Sequence, residues 1–151
     1  MERSELNMEL KEETVKLDNL LRRINIHLNK YTKTKLSKYS LTFPRFHTLW
    51  VISKLEPVNM SQLNKKLMAA NSTLTVTVDH LVEEGFVDRC RDKKDRRIVL
   101  LKTTQQGKMQ LQKLLNERQL FFQKALNEID IDEQKQAICL LENLLNNLIN
   151  L

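Results

Sequence analysis

Apolar residues recur at helical spacing along most of the chain, with one interruption. Leu17, Leu21, Ile24, Leu28 and Tyr31 step by four, three, four and three, which draws one stripe on a helix over residues 5–38. A second helix is predicted over 43–55, with Phe46, Leu49, Trp50 and Ile52 facing inward. Asn59 caps a short third helix through Leu63 and Leu67 to about Met68, and Gln62 completes a capping-box pattern. Asn71 or Ser72 caps a fourth, whose inner face is Leu74, Val78, Leu81 and Val82. Then the period changes. Residues 86–91 and 98–102 are short apolar strands on either side of Asp92-Lys93-Lys94-Asp95-Arg96-Arg97, a β-hairpin with a basic tip. Helical spacing returns after Thr104, a predicted cap, and continues to about Ile129. Asp130 and Asp132 break and recap the chain, and Ala137, Leu141, Leu144, Leu148 and Leu151 mark a last helix. The predicted class is mainly α with a small β-hairpin.

Glycine and proline occur only twice each, so each marks a boundary. Pro44 sits in the first turn of the second helix, where its missing N–H costs nothing. Pro57 ends that helix by pushing Glu56 away from helical angles. Gly85 follows a periodic segment, as a helix-ending glycine does, and Gly107 falls in the first turn of the fifth helix.

The terminal helices bear on assembly. The first is too long to bury its stripe on the compact middle of the chain, and the last is apolar as well. Leu17, Leu21, Ile24, Leu141, Leu144 and Leu148 are therefore expected to meet a second copy about a two-fold axis. The alternative is a bundle of the first, fifth and sixth helices within one chain.

Lysine and arginine number 25 against 19 acidic residues, a net charge of +6, and the pI is about 9.4. Such a balance favours polyanions, and its distribution is more telling than its size. The fourth helix presents Ser72, Thr73, Thr75, Val76, Thr77 and His80 on its outward face. Hydroxyls and N-terminal amides anchor phosphate, while valine and threonine methyls pack on thymine. Residues 75–78 are all β-branched and poor helix formers, so something other than propensity keeps them there. Arg89, Arg91, Lys93, Lys94, Arg96, Arg97 and Lys102 then concentrate positive charge on the hairpin. Contacts of this kind give strong, salt-sensitive binding to phosphates, and an arginine at the tip can enter a narrow minor groove. Asp95, two residues before Arg97, can hold that guanidinium extended; a simple turn-stabilising ion pair is the other use for it. A polar helix followed by a basic hairpin points to double-stranded DNA.

Several segments together carry a family resemblance. They are Leu41-Thr42-Phe43-Pro44-Arg45-Phe46, Ser61-Gln62-Leu63, Leu81-Val82-Glu83-Glu84-Gly85-Phe86-Val87-Asp88-Arg89, the basic hairpin tip, and Thr103-Thr104-Gln105-Gln106-Gly107. With these, residues 41–107 resemble the multiple-antibiotic-resistance repressor (MarR) family of winged-helix regulators, and the flanking helices resemble its dimerisation region. The resemblance implies one domain over 1–151, a winged helix-turn-helix at 41–104, and dimerisation helices at 1–38 and 105–151. It implies that Arg97 enters the minor groove with Asp95 positioning it, and that residues 71–77, from Asn71 to Thr77, read the major groove. Two departures stand out. Val76 replaces a common Arg or Lys, which shifts the expectation toward an A/T-rich operator read by methyl contacts and shape. Thr103 replaces the usual Leu, a change that looks structurally minor.

The family commonly responds to an effector, and Tyr31, Phe46 and Trp50 are candidate lining for a small-molecule pocket. Cys90, among arginines, is a packed strand residue or a sensor thiol; Cys139 reads as interface packing. His27, His47 and His80 lack metal-site spacing, and no metal or other cofactor is expected. No nucleophile motif, phosphate loop or paired carboxylates point to an enzyme. With no signal-peptide pattern and no apolar run approaching ~18 residues, a cytoplasmic location away from membranes is expected. Two alternatives remain open: a winged-helix dimer acting through protein partners, and a non-specific architectural DNA binder.

Overall fold

The computed structural model describes residues 11–68 and 70–151. The order is α1 (Glu12–Leu36), a 3-10 turn (Ser37–Tyr39), α2 (Phe43–Leu55), β1 (Val58–Asn59), α3 (Met60–Leu67), α4 (Asn71–Glu83), β2 (Val87–Arg91), β3 (Val99–Thr103), α5 (Gln105–Leu126) and α6 (Ile131–Ile149). The structure is mainly helical with a three-stranded antiparallel sheet, in the order β1-β3-β2. The part of the first predicted helix before residue 11 lies outside the described residues. The chain falls into two compact units, one ending at Leu115 and one spanning Asn116–Leu151.

Local chemistry sets most boundaries in the first unit. Thr42 caps α2 through its side chain, with Pro44 in the first turn. Asn59 and Gln62 form the expected reciprocal box on α3, at 2.8 and 3.0 Å. The start of α4 differs from expectation: Leu74 N–H bonds Ala70 C=O at 3.0 Å, so the cap is Ala70, without a side-chain bond. The fifth helix ends at Leu126 and not near Ile129. A strand unforeseen in the sequence, β1, pairs Val58 with Leu101 and Asn59 with Leu100.

The core lies within this unit. Leu49, Ile52, Leu63, Val78, Leu81 and Leu101 have no exposure, and Leu111 and Leu114 close it from α5. Trp50 does not face inward as predicted: Leu49 and Val51 are buried on either side of it, while Trp50 is 36% exposed and stacks on His47. Thr103 is buried, and both its N–H and its hydroxyl donate to Glu56, which also pairs with Lys108 at 2.9 Å. Burial pushes the Glu56 carboxyl up, but these bonds outweigh it and hold the group below its ordinary value. The position that looked minor thus ties the end of α2 to β3.

The corner between α4 and α5 is tighter still. Gly85 has φ +73°, a conformation that favours glycine. Thr104 donates its hydroxyl to Gly85 C=O at 2.7 Å and accepts from Gly107 N–H at 2.9 Å, which caps α5 as predicted. A Cβ on Gly107 would collide with the Phe86 carbonyl oxygen. In the second unit, Asp130 and Glu133 form a capping box on α6, which has no buried residue.

Candidate nucleic-acid interface

Helices α3 and α4 form a helix-turn-helix, and the hairpin that follows is its wing. In α4 the burial pattern separates two faces. Leu74 and Val78 point into the core, while Ser72, Thr73, Thr75 and Val76 are exposed, Val76 by 55%. Thr77 belongs to the inner face, against the prediction: it is 9% exposed and its hydroxyl bonds the Thr73 carbonyl at 2.8 Å. The back-bond satisfies the buried hydroxyl, so Thr77 does not present it on the exposed face. His80 is half-buried, with Nδ1 3.3 Å from Glu83. Asn71 opens the helix.

The wing ends in a seven-residue loop, 92–98, closed by Asp92 N–H to Ile98 C=O at 2.9 Å and Ile98 N–H to Asp95 C=O at 3.0 Å. Its two aspartates are used locally. Asp92 accepts from the N–H groups of Asp95 and Lys94, at 3.1 and 2.6 Å, and these bonds, that from Asp95 foremost, lower its pKa. Asp95 accepts at 2.9 Å from the backbone N–H of Arg97, not from its guanidinium. The expected side-chain pair is therefore replaced by a turn cap, since the tight loop brings the amide to the carboxylate first. The result serves the same cluster of charge: Lys93, Lys94, Arg96 and Arg97 are exposed, and none forms an ion pair among the described residues. Arg91 and Lys102 are exposed too, and neither forms an ion pair among the described residues.

Arg89 stands apart. Its guanidinium pairs with Asp79 of α4, so its charge is already partly neutralised. Asp79 was not singled out in the sequence, and neither was the Arg45–Glu84 pair at 2.7 Å that fastens the last turn of α4 to α2. Both link positions whose side chains meet only after folding.

The pocket residues predicted from the sequence occupy three different settings. Phe46 is a core residue, Trp50 is exposed, and Tyr31 is half-buried with Lys35 over its ring at 5.2 Å. His27, His47 and His80 sit on three separate helices, and no group of three or more potential ligands gathers around a metal position among the described residues. Cys90 is half-buried opposite Leu100, and Cys139 is exposed on α6. Among the described residues, no helix is long and apolar enough to cross a membrane.

This architecture has known counterparts. The sequence pattern of the MarR family matches residues 41–99, from before α2 to the start of β3. A solved MarR family protein from Bacillus stearothermophilus superposes with a TM-score of 0.84 at 25% identity, covering 93% of this chain and 99% of that one. The HTH-type transcriptional regulator SarZ of Staphylococcus aureus is 30% identical over 123 residues, 82% of this chain and 76% of SarZ. The chain belongs to the MarR family. MarR family proteins are DNA-binding transcriptional regulators, not enzymes, and the helix-turn-helix and wing described above are the parts of this MarR chain suited to that work. Similarity to the regulator YdgJ of Bacillus subtilis, at 26% over 107 residues, spans 71% of this chain but only 65% of YdgJ.

Proposed function

We propose that this MarR family member is a homodimeric cytoplasmic repressor of a pseudo-palindromic, A/T-rich operator. One observation supports it most: a cluster of Lys93, Lys94, Arg96 and Arg97, exposed and without an ion pair among the described residues, projects from a hairpin tied to a helix with Ser72, Thr73, Thr75 and Val76 exposed. In this reading residues 41–104 engage DNA. Val76 and the threonine methyls contact thymine in the major groove, Arg97 enters the minor groove, and the other tip cations bind phosphate. Residues 1–38 and 105–151 dimerise. Leu17, Leu21 and Ile24 on α1 and Leu141 and Leu148 on α6 are exposed, and Leu144 is half-buried, which leaves apolar surface for a second copy. Two recognition helices related by a two-fold axis would meet half-sites about 34–36 Å apart. A small-molecule effector would act by favouring a different spacing of those helices.

The test is a titration against the protein's own upstream duplex and a scrambled duplex at two salt concentrations. The expected result is a preference of about 10³-fold or more for the native duplex, with a steep salt slope. Arg97→Ala should weaken specific binding by more than about 1 kcal/mol. Equal, weak binding to both duplexes would turn the chain into a non-specific DNA binder or a partner-binding module.

A further inference from the structure

We propose that the Asp79–Arg89 ion pair is a positioning device that fixes the wing against the recognition helix, so that Arg89 acts on DNA through geometry and not by binding phosphate. The proposal rests on the operator reading above.

Arg89 lies on β2 directly opposite Leu101, which has no exposure, so its stem leaves the sheet on the core-facing side. From there the guanidinium reaches the Asp79 carboxylate on α4. Asp79 follows Val76 by three residues and Thr75 by four, so it neighbours the exposed reading residues on the helix surface. The two side chains are 40% and 43% exposed, which places the pair at the accessible rim of the interface and outside the core. At the far end of α4, the Arg45–Glu84 pair is the more buried of the two, at 22% and 28%. The recognition helix is thus pinned to α2 at its last turn and to the wing at its middle.

The charge of Asp79 makes the assignment testable by sign. A carboxylate on a helix that approaches phosphates repels them, so deleting it should tighten DNA binding if charge were its whole effect. If the pair sets the wing's angle, deletion weakens specific binding instead. Arg89 gives a second sign. A phosphate contact contributes about 0.9 to the slope of log affinity against log salt, whereas a residue already paired with Asp79 contributes little.

The full-length chain, Asp79→Asn and Arg89→Gln are titrated by fluorescence anisotropy against the native upstream duplex and a scrambled duplex over a salt series. Both variants should bind the native duplex about tenfold more weakly. Asp79→Asn should hold or gain affinity for the scrambled duplex, and Arg89→Gln should keep the parental salt slope. The charge swap, Asp79→Arg with Arg89→Asp, should recover most of the lost affinity, a rescue that also covers a single variant that unfolds. Tighter native binding by Asp79→Asn, or a slope lowered by about one in Arg89→Gln, would overturn the positioning role. A swap no better than the single variants would overturn it too. If the parent itself shows no preference for the native duplex, the operator reading fails, and this proposal falls with it.

Discussion

Helices α4 and α6 are held in opposite ways. The 13 residues of α4 include four consecutive β-branched side chains, and no side chain caps its N-terminus. Taken alone it is a poor helix. It is sustained by what it buries: Leu74 is 2% exposed, Val78 and Leu81 are fully buried, and ion pairs tie it to α2 and β2. By contrast α6 has 19 residues, a reciprocal capping box and an abundance of leucine, yet none of its residues is fully buried. One helix is sustained by its packing, while the side chains of its outer face stay exposed. The other draws on its caps and its leucines for helicity, with little burial to support it.

The largest effect is expected at the unpacked surface. Changing Leu17, Leu144 and Leu148 together to polar residues should convert a dimer to monomers, since each fully buried leucine contributes about 1.5–3 kcal/mol. Light scattering that still returned a dimeric mass would place the interface elsewhere. Next in size is the packing of α4: Leu81→Ala should lower unfolding stability by about 2–5 kcal/mol, measured by denaturant titration. A loss within error would mean that α4 holds without its core.

Glu56 acts at the root of the wing, where it ties α2 to β3. Its folded-state pKa lies below the unfolded value, so its contribution is complete above the ordinary carboxylate value of 4.5 and fades as pH falls through the folded value. The parent should exceed Glu56→Gln by about 1–2 kcal/mol at neutral pH. That margin should shrink in acid, and thermal scans over a pH series would reveal a constant margin if the bonds do not matter. The smallest effect is a gain. Ala70→Ser supplies the missing cap and should stabilise by about 0.5–1 kcal/mol, whereas no change would mean that packing alone fixes the start of α4.

What was legible in the sequence followed from local chemistry. Asn59 with Gln62 and Thr104 at the head of α5 each act within three residues, so spacing sufficed to find them, whereas Asp130 was read as a cap without its partner Glu133. The hairpin was visible because its apolar runs flank a polar tip. What failed depended either on partners distant in sequence or on a choice between local partners that spacing does not make. The two residues of β1 have no periodicity of their own and exist because β3 pairs with them. Thr77 looked outward because a threonine row suggests a polar face, but its hydroxyl is satisfied by the preceding turn. Asp95 was matched to the right residue and the wrong atom, since spacing cannot tell a guanidinium from an amide. Asp79 and Arg89 are ten residues apart, and only the turn at Gly85 brings them together.

The contact between Gly107 and the Phe86 carbonyl has a mechanical consequence. With no side chain between them, the first turn of α5 rests directly on the backbone leading into β2. Thr104 clamps the same corner through Gly85 and through an N–H to Phe86 C=O bond at 3.0 Å. A close-packed joint of this kind has no slack to absorb displacement. Any tilt at the start of α5 is therefore delivered to the root of the wing as a lever arm delivers motion across a pivot without play.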